Sequence, residues 1–435
     1  MSRIHLACAT IATIAACFLC LNRAASATEP WADAPLPQEL TLAWCLERAV
    51  DANPTLARAR ALAEASAHRV GPAGALDDPR FAYEASNLPI GDFDFESTPL
   101  SGHQLGLRQK IPFPGLLSSR KDAARFGAEA ARLSALDQRR MIEGAVERAW
   151  SELAFAQQAL AITDRNLALL RQLVATTEAR YRVGSGLQQD VIRSQLERTL
   201  LQQERLRRVE ARERAESALV ALLDLPPATK LPPTAALALM VDTPDLDTLL
   251  GALERESPRF QSAREQLEEA RTQVRVAELE GLPDVDLGLG YRIRRSVPGD
   301  PVEGDDFLSA GVTFRLPVDR SKWRAHVAQR RSTLHGAEAE LRRVRAELGN
   351  EVRMAHAELV RAASEETLVD TGLLPQARQS LAASRSAYEV GRIEFLSLLD
   401  SQVRLLEAEL RLARARADKR RAFTALEMIS GRKLR

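Results

Sequence analysis

The 435-residue sequence predicts a mainly α-helical chain with a small membrane-type β component, on three observations: a duplicated unit, helices too long for a globule, and strands with one apolar and one polar face. The duplication sets the rest. Each half reads as helix, two short strands, a long helix and a returning helix, and the halves recur about 205 residues apart. Asn53-Pro54 opens a helical stretch that ends near Asp78-Pro79, and Ser257-Pro258 opens one that ends near Leu282-Pro283. Leu105-Gly106-Leu107 before Ile111-Pro112 answers Ala310-Gly311-Val312 before Leu316-Pro317. Tyr181-Arg182-Val183-Gly184 answers Tyr388-Glu389-Val390-Gly391, and Ser194-Gln195 answers Ser401-Gln402. This order places an export signal over 1–27, a first repeat over 28–225, a proline-rich link over 226–245 and a second repeat over 246–435.

The helices follow from periodicity. No proline interrupts Leu116 to Tyr181, and Leu153, Ala156, Leu160, Thr163, Leu167, Leu170, Val174, Thr177 and Tyr181 recur at steps of three and four, a heptad seam. Leu399, Val403, Leu406, Leu410, Ala413 and Ala417 repeat those steps in the second half. A helix of about 65 residues would reach roughly 100 Å, longer than an ordinary domain. Each long helix breaks at glycine and returns, at a tip over 183–187 and another over 390–393. Pro226-Pro227, Pro232-Pro233 and Pro244 make the link between the halves irregular.

The strands follow from alternation. Over 284–295, Val285, Leu287, Leu289, Tyr291 and Ile293 point one way, while Asp286, Gly288, Gly290, Arg292 and Arg294 point the other. The stretch 306–317 repeats this pattern, and 79–90 and 103–112 give a weaker version. Alternation alone also suits a sheet on a soluble core. Segments of about 9 to 11 residues match a tilted transmembrane strand, and the turns between them are rich in Pro, Gly, Asp and Ser. A membrane accepts only closed barrels, and four strands cannot close one. Several copies must therefore share a barrel, with the apolar face of each toward lipid.

The ends and the composition narrow the function. Arg3 and His5, the apolar run from Leu6 to Leu21 and Ala25-Ser26-Ala27 read as an export signal with its cleavage site. A rival reading takes Ile14-Ala15-Ala16-Cys17 as a lipoprotein box with Cys17 lipidated. Beyond the signal only Cys45 remains, so no internal disulfide is expected. Lys and Arg number 60 against 59 Asp and Glu, a balance that argues against a nucleic-acid surface. His68, His103, His326, His335 and His356 are scattered, and there is no paired-cysteine motif or nucleophile elbow. No catalytic, metal or cofactor site is expected, so the chain reads as a conduit and not as an enzyme.

The opening Leu40-Thr41-Leu42, Asn53-Pro54, and the tips Tyr181 to Val191 and Tyr388 to Asp400 together resemble the TolC family of outer-membrane efflux channels. Asn87-Leu88-Pro89 and Gln109-Lys110-Ile111-Pro112-Phe113-Pro114-Gly115 resemble more narrowly its heavy-metal group, the CzcC and CusC type; Leu116 stands where such members often have Lys. The resemblance implies a TolC-like homotrimer whose twelve strands form one barrel in outer-membrane lipid, continued by a periplasmic helical tunnel. It implies a periplasmic adaptor and an inner-membrane pump of the resistance-nodulation-division type as partners. It implies adaptor contacts at Val183, Gly184, Gly186, Val390, Gly391 and Arg392, and a periplasmic aperture at Tyr181, Asp190, Tyr388, Ser397 and Asp400. Asp190 and Asp400 match acidic positions of such apertures, where a ring of carboxylates would favour cations. Both also suit a solvated helix start, and the two tyrosines also suit seam packing. Rival functions are a duct for drugs or secreted polypeptides, and a periplasmic coiled-coil scaffold without a pore.

Overall fold

The computed structural model describes residues 36–431, apart from 92, 93, 96, 97, 237–242 and 299. The expected export signal and Cys17 lie outside the described residues. In the first repeat, helix α1 (Leu42–Ala52) begins at Thr41, whose side chain accepts from Trp44 N at 3.3 Å. Helix α2 (Pro54–His68) begins at Asn53, whose Oδ1 accepts from Thr55 N and Leu56 N, with proline in the first turn where no N–H is needed. The short α3 (Val70–Ala73) leads to strands β1 (Arg80–Ser86) and β2 (Gly102–Ile111). Helix α4 (Leu116–Arg182) then runs for 67 residues, about 100 Å, and α5 (Gln188–Leu222) returns beside it.

The second repeat has the same order: α6 (Leu246–Glu256), α7 (Pro258–Glu280), β3 (Asp284–Ile293), β4 (Phe307–Arg315), α8 (Arg320–Leu368), α9 (Leu374–Glu389) and α10 (Phe395–Ser430). Between α8 and α9 the chain makes one π-helical turn, Val369–Leu373, directly before Pro375. Proline has no N–H to donate, and its ring crowds the carbonyl four residues back. The wider turn takes up that conflict without ending the helix. The second long arm is thus interrupted where the first is continuous.

Three strands stop short of the spans read from alternation, β4 at Arg315, two residues before Pro317, which has no N–H for the ladder. β1 ends at Ser86 because Asn87 takes φ +56° and turns the chain. β3 ends at Ile293, after which Asp306 Oδ1 accepts from Arg294 N at 3.0 Å, so a side chain replaces the ladder.

The seam of α4 is buried from Leu153 to Thr177, while Tyr181 at its end is exposed. In α10 the seam is displaced. Leu399, Ala413 and Ala417 are buried, but Val403, Leu406 and Leu410 are only half-buried, and the best-covered face runs through Leu398, Gln402, Leu405, Ala408 and Leu412. One residue turns a helix by about 100°. α10 lies against α4 on one side and α8 and α9 on the other, so its buried face is broad and centred between two neighbours.

Of the apolar clusters among the described residues, the two largest, one per repeat, anchor the helices. In the first, Trp150 donates its indole N–H to Leu40 O at 2.8 Å, and Leu40 pairs with Thr234 of the proline-rich link. Cys45 lies in this core, where burial pushes its thiol up to about 12, so it stays protonated and unreactive. In the second, Phe260, Leu348, Leu359, Phe423 and Leu426 fill the corresponding space.

Candidate functional site: the strand sheet and the hairpin tips

The four strands form one antiparallel sheet in the order β1-β2-β3-β4, which leaves β1 and β4 as open edges. The register aligns like faces across all four. Phe81, Leu107, Leu289 and Ala310 make one row, and Tyr83, Leu105, Tyr291 and Leu308 make another. Ala82, Gly106, Gly290 and Ser309 make the row between them on the opposite face. Of the residues expected toward lipid, Leu287, Leu289, Tyr291 and Ile293 are exposed, Leu289 at 56%, and Val285 is half-buried. The other face is concave and carries Arg80, Glu84, Gln104, Arg108, Lys110 and Asp286. Apolar side chains in water on one face and polar ones lining a hollow on the other invert the arrangement of an ordinary soluble sheet.

The base of the sheet is tied to the helices by charge. Asp284, buried, sits 3.1 Å from Lys110 Nζ and 2.9 Å from Arg315 Nη2. Below it Arg120 Nη2 donates to Glu280 Oε1 at 2.7 Å. At the far end, Arg294 pairs with Asp300 and lies over the Phe307 ring, while Tyr291 donates its hydroxyl to Asp306.

The tips are two copies of one turn. Gly184 N donates to Tyr181 O at 3.0 Å and Ser185 N to Arg180 O at 2.9 Å; Gly391 N donates to Tyr388 O at 3.0 Å and Arg392 N to Ala387 O at 2.9 Å. The glycines take φ +74° and +72°, the left-handed region that closes a helix end. Val183 and Val390 stand out exposed, Arg392 is exposed and Gly186 is half-buried.

The aperture candidates divide. Tyr181 is 47% exposed, whereas Tyr388 is 6% exposed and packs edge-on against Phe395 with centroids 5.7 Å apart. Asp190 lies half-buried in the first turn of α5, close enough for its charge to act on Tyr388. Burial raises the Tyr388 hydroxyl pKa most, with Asp190 adding to the rise and Arg180 opposing it. Ser397 and Asp400 are exposed on α10, and Arg404 Nε lies 3.6 Å from Asp400.

One residue at this site escaped the sequence. Arg180 Nη1 donates to Tyr388 O at 2.6 Å, and its guanidinium lies 4.7 Å over the Tyr388 ring, tying the first tip to the second. No local pattern marks it, because its partner is 208 residues away. Among the described residues, no group of three or more His, Cys, Asp or Glu could hold a metal ion, and no helix is long and apolar enough to cross a membrane.

Comparison with known proteins accords with this geometry. The family model described as outer membrane efflux protein matches residues 249–432. The cobalt-zinc-cadmium resistance protein CzcC of Cupriavidus metallidurans is 29% identical over 178 residues, 40% of this chain and 40% of its own length. Protein CyaE of Bordetella pertussis is 30% identical over 261 residues, 56% of this chain and 55% of its own. The chain thus spans about half or less of the length of the curated relatives it matches. The outer membrane protein VceC of Vibrio cholerae superposes with a TM-score of 0.75 at 20% identity, over 91% of this chain and 97% of that one. From α1 to α10, the chain has the fold of TolC-like outer-membrane channels.

Proposed function

We propose that the chain is one protomer of an outer-membrane exit duct that passively carries solutes from the periplasm, handed over by an inner-membrane pump, to the outside. The observation that carries the reading is the four-stranded sheet, apolar outside, polar inside and open at both edges, joined to a helix of about 100 Å. Three copies would close twelve strands into a barrel across outer-membrane lipid. In this reading Leu287, Leu289, Tyr291 and Ile293 face lipid. Val183, Gly184, Gly186, Val390, Gly391 and Arg392 meet a periplasmic adaptor, and Tyr181, Asp190, Tyr388, Ser397 and Asp400 frame the periplasmic aperture. The pump is of the resistance-nodulation-division type. A scaffold without a pore would have no use for an exposed apolar sheet face.

For cargo we favour heavy-metal cations. Support comes from the Asn87-Leu88-Pro89 and Gln109 to Gly115 segments and from the similarity to CzcC. The similarity to CyaE is of the same order, so drugs or polypeptides form the second reading. The test is the susceptibility of a deletion strain, pump and adaptor intact, to zinc, cobalt, cadmium, nickel, copper and silver beside a panel of lipophilic drugs. Sensitisation to metals alone supports the first reading. Sensitisation to drugs moves the cargo to the second, and none to either removes the metal assignment.

A further inference from the structure

The concave face of the sheet carries one charge arrangement that strand pairing does not require. Part of the charge there is compensated within the chain: Asp284 is held by Lys110 and Arg315, and Arg292 Nη2 donates to Ser86 Oγ at 2.6 Å, whereas Glu84 and Asp286 form no ion pair among the described residues. Arg80 and Arg108 are the bases left without a partner. They stand directly opposite each other on β1 and β2, both are exposed on the concave face, and neither forms an ion pair or hydrogen bond through its guanidinium among the described residues. The nearby acids Asp77, Asp78, Glu84 and Asp286 leave both guanidinium groups unpaired. Like charges directly opposite on neighbouring strands destabilise an antiparallel pair.

The wall beside them is bare. Gly288 and Gly311 continue the same row, and Ala82, Gly106, Gly290 and Ser309 form the next. A Cβ added at Gly311 would meet nothing within 4 Å, so a solute can approach the two guanidinium groups from the side. Each guanidinium presents a planar fork of donors that matches two oxygens of a phosphate or carboxylate.

We propose that Arg80 and Arg108 form an oxyanion site on the inner wall of the strand sector, one that takes a phosphate or carboxylate group of a free solute. The inference rests on the duct reading, in which three copies place six guanidinium groups at one level of the lumen. An oxyanion bound there removes the two local positive charges of each copy and leaves the acids of the same hollow to attract cations.

The test is planar-bilayer recording of the reconstituted full-length oligomer under a KCl gradient, with inorganic phosphate added on the strand side. Wild type should shift its reversal potential toward potassium selectivity. Arg80→Glu, which places a carboxylate opposite Arg108 and relieves the repulsion, should need about tenfold more phosphate for the same shift. Arg108→Lys keeps the charge without the fork and should fall between. Equal phosphate responses in wild type and Arg80→Glu would overturn the site. So would a wild-type response no larger than that to chloride at equal ionic strength, a comparison that decides the matter even if a variant fails to insert. Wild-type protein that forms no channel at all would instead bring down the duct reading, and the site with it.

Discussion

The two hairpin tips share a Tyr-x-Val-Gly segment and the same backbone turn, with glycine φ of +74° and +72°, yet one tyrosine is 47% exposed and the other 6%. Local sequence decides the turn, and neighbours decide the side chain. Counting from the glycines, the second tip has Phe395 where the first has Gln188, and the first has Arg180 where the second has Ala387. Phe395 walls one side of Tyr388 and Arg180 covers the other. Asp190 likewise has Ser397 as its counterpart, so the acidic charge at these positions belongs to the first tip alone. The repeat has diverged in side chains while its backbone has not.

Five substitutions would break or sharpen that contrast, read as local opening free energies from hydrogen exchange at the tip amides. Phe395→Ala should cost the second tip about 3 kcal/mol and leave the first unchanged, through the lost wall and the cavity left behind. Equal protection before and after would show that Tyr388 is not held by this ring. Arg180→Ala should cost about 2 kcal/mol, and because its guanidinium spans both tips, exchange should rise at Gly391 and Arg392 although the change lies in α4. An effect confined to the first tip would remove the tie. Gly184→Ala and Gly391→Ala should each cost about 1 to 2 kcal/mol, since both turns demand the same left-handed backbone. A clear inequality between the two would mean that the turns are not equivalent after all. Gln188→Phe should add about 1 kcal/mol to the first tip by giving Tyr181 an aromatic neighbour, read also as reduced access of that tyrosine to iodination. Unchanged access would show that side-chain packing at this tip is set by something other than position 188.

Much of the fold was legible because it depends on period and punctuation. The α4 seam from Leu153 to Thr177 and the two-faced strand at Val285 to Ile293 follow from spacing alone. The α10 seam did not follow, because the heptad rule assumes one partner and α10 has neighbours on two sides. The π-turn ahead of Pro375 is marked by the proline itself, but whether a helix ends or widens there depends on packing around it, which spacing does not carry. Arg180 was out of reach. It is one of 60 basic residues, and what sets it apart is contact with a carbonyl in the other half of the chain.

The open edges of β1 and β4 carry a consequence for how the protein is made. A lone sheet with bare edges and an exposed apolar face is a template for uncontrolled strand addition, and hydrocarbon offers nothing to satisfy its edge amides. For the proposed duct, assembly therefore has to precede or accompany entry into lipid. Productive yield of the proposed oligomer should rise steeply with chain concentration, while any delay in assembly feeds aggregation. In that reading, each copy has to be kept from stray strand pairing until its neighbours arrive.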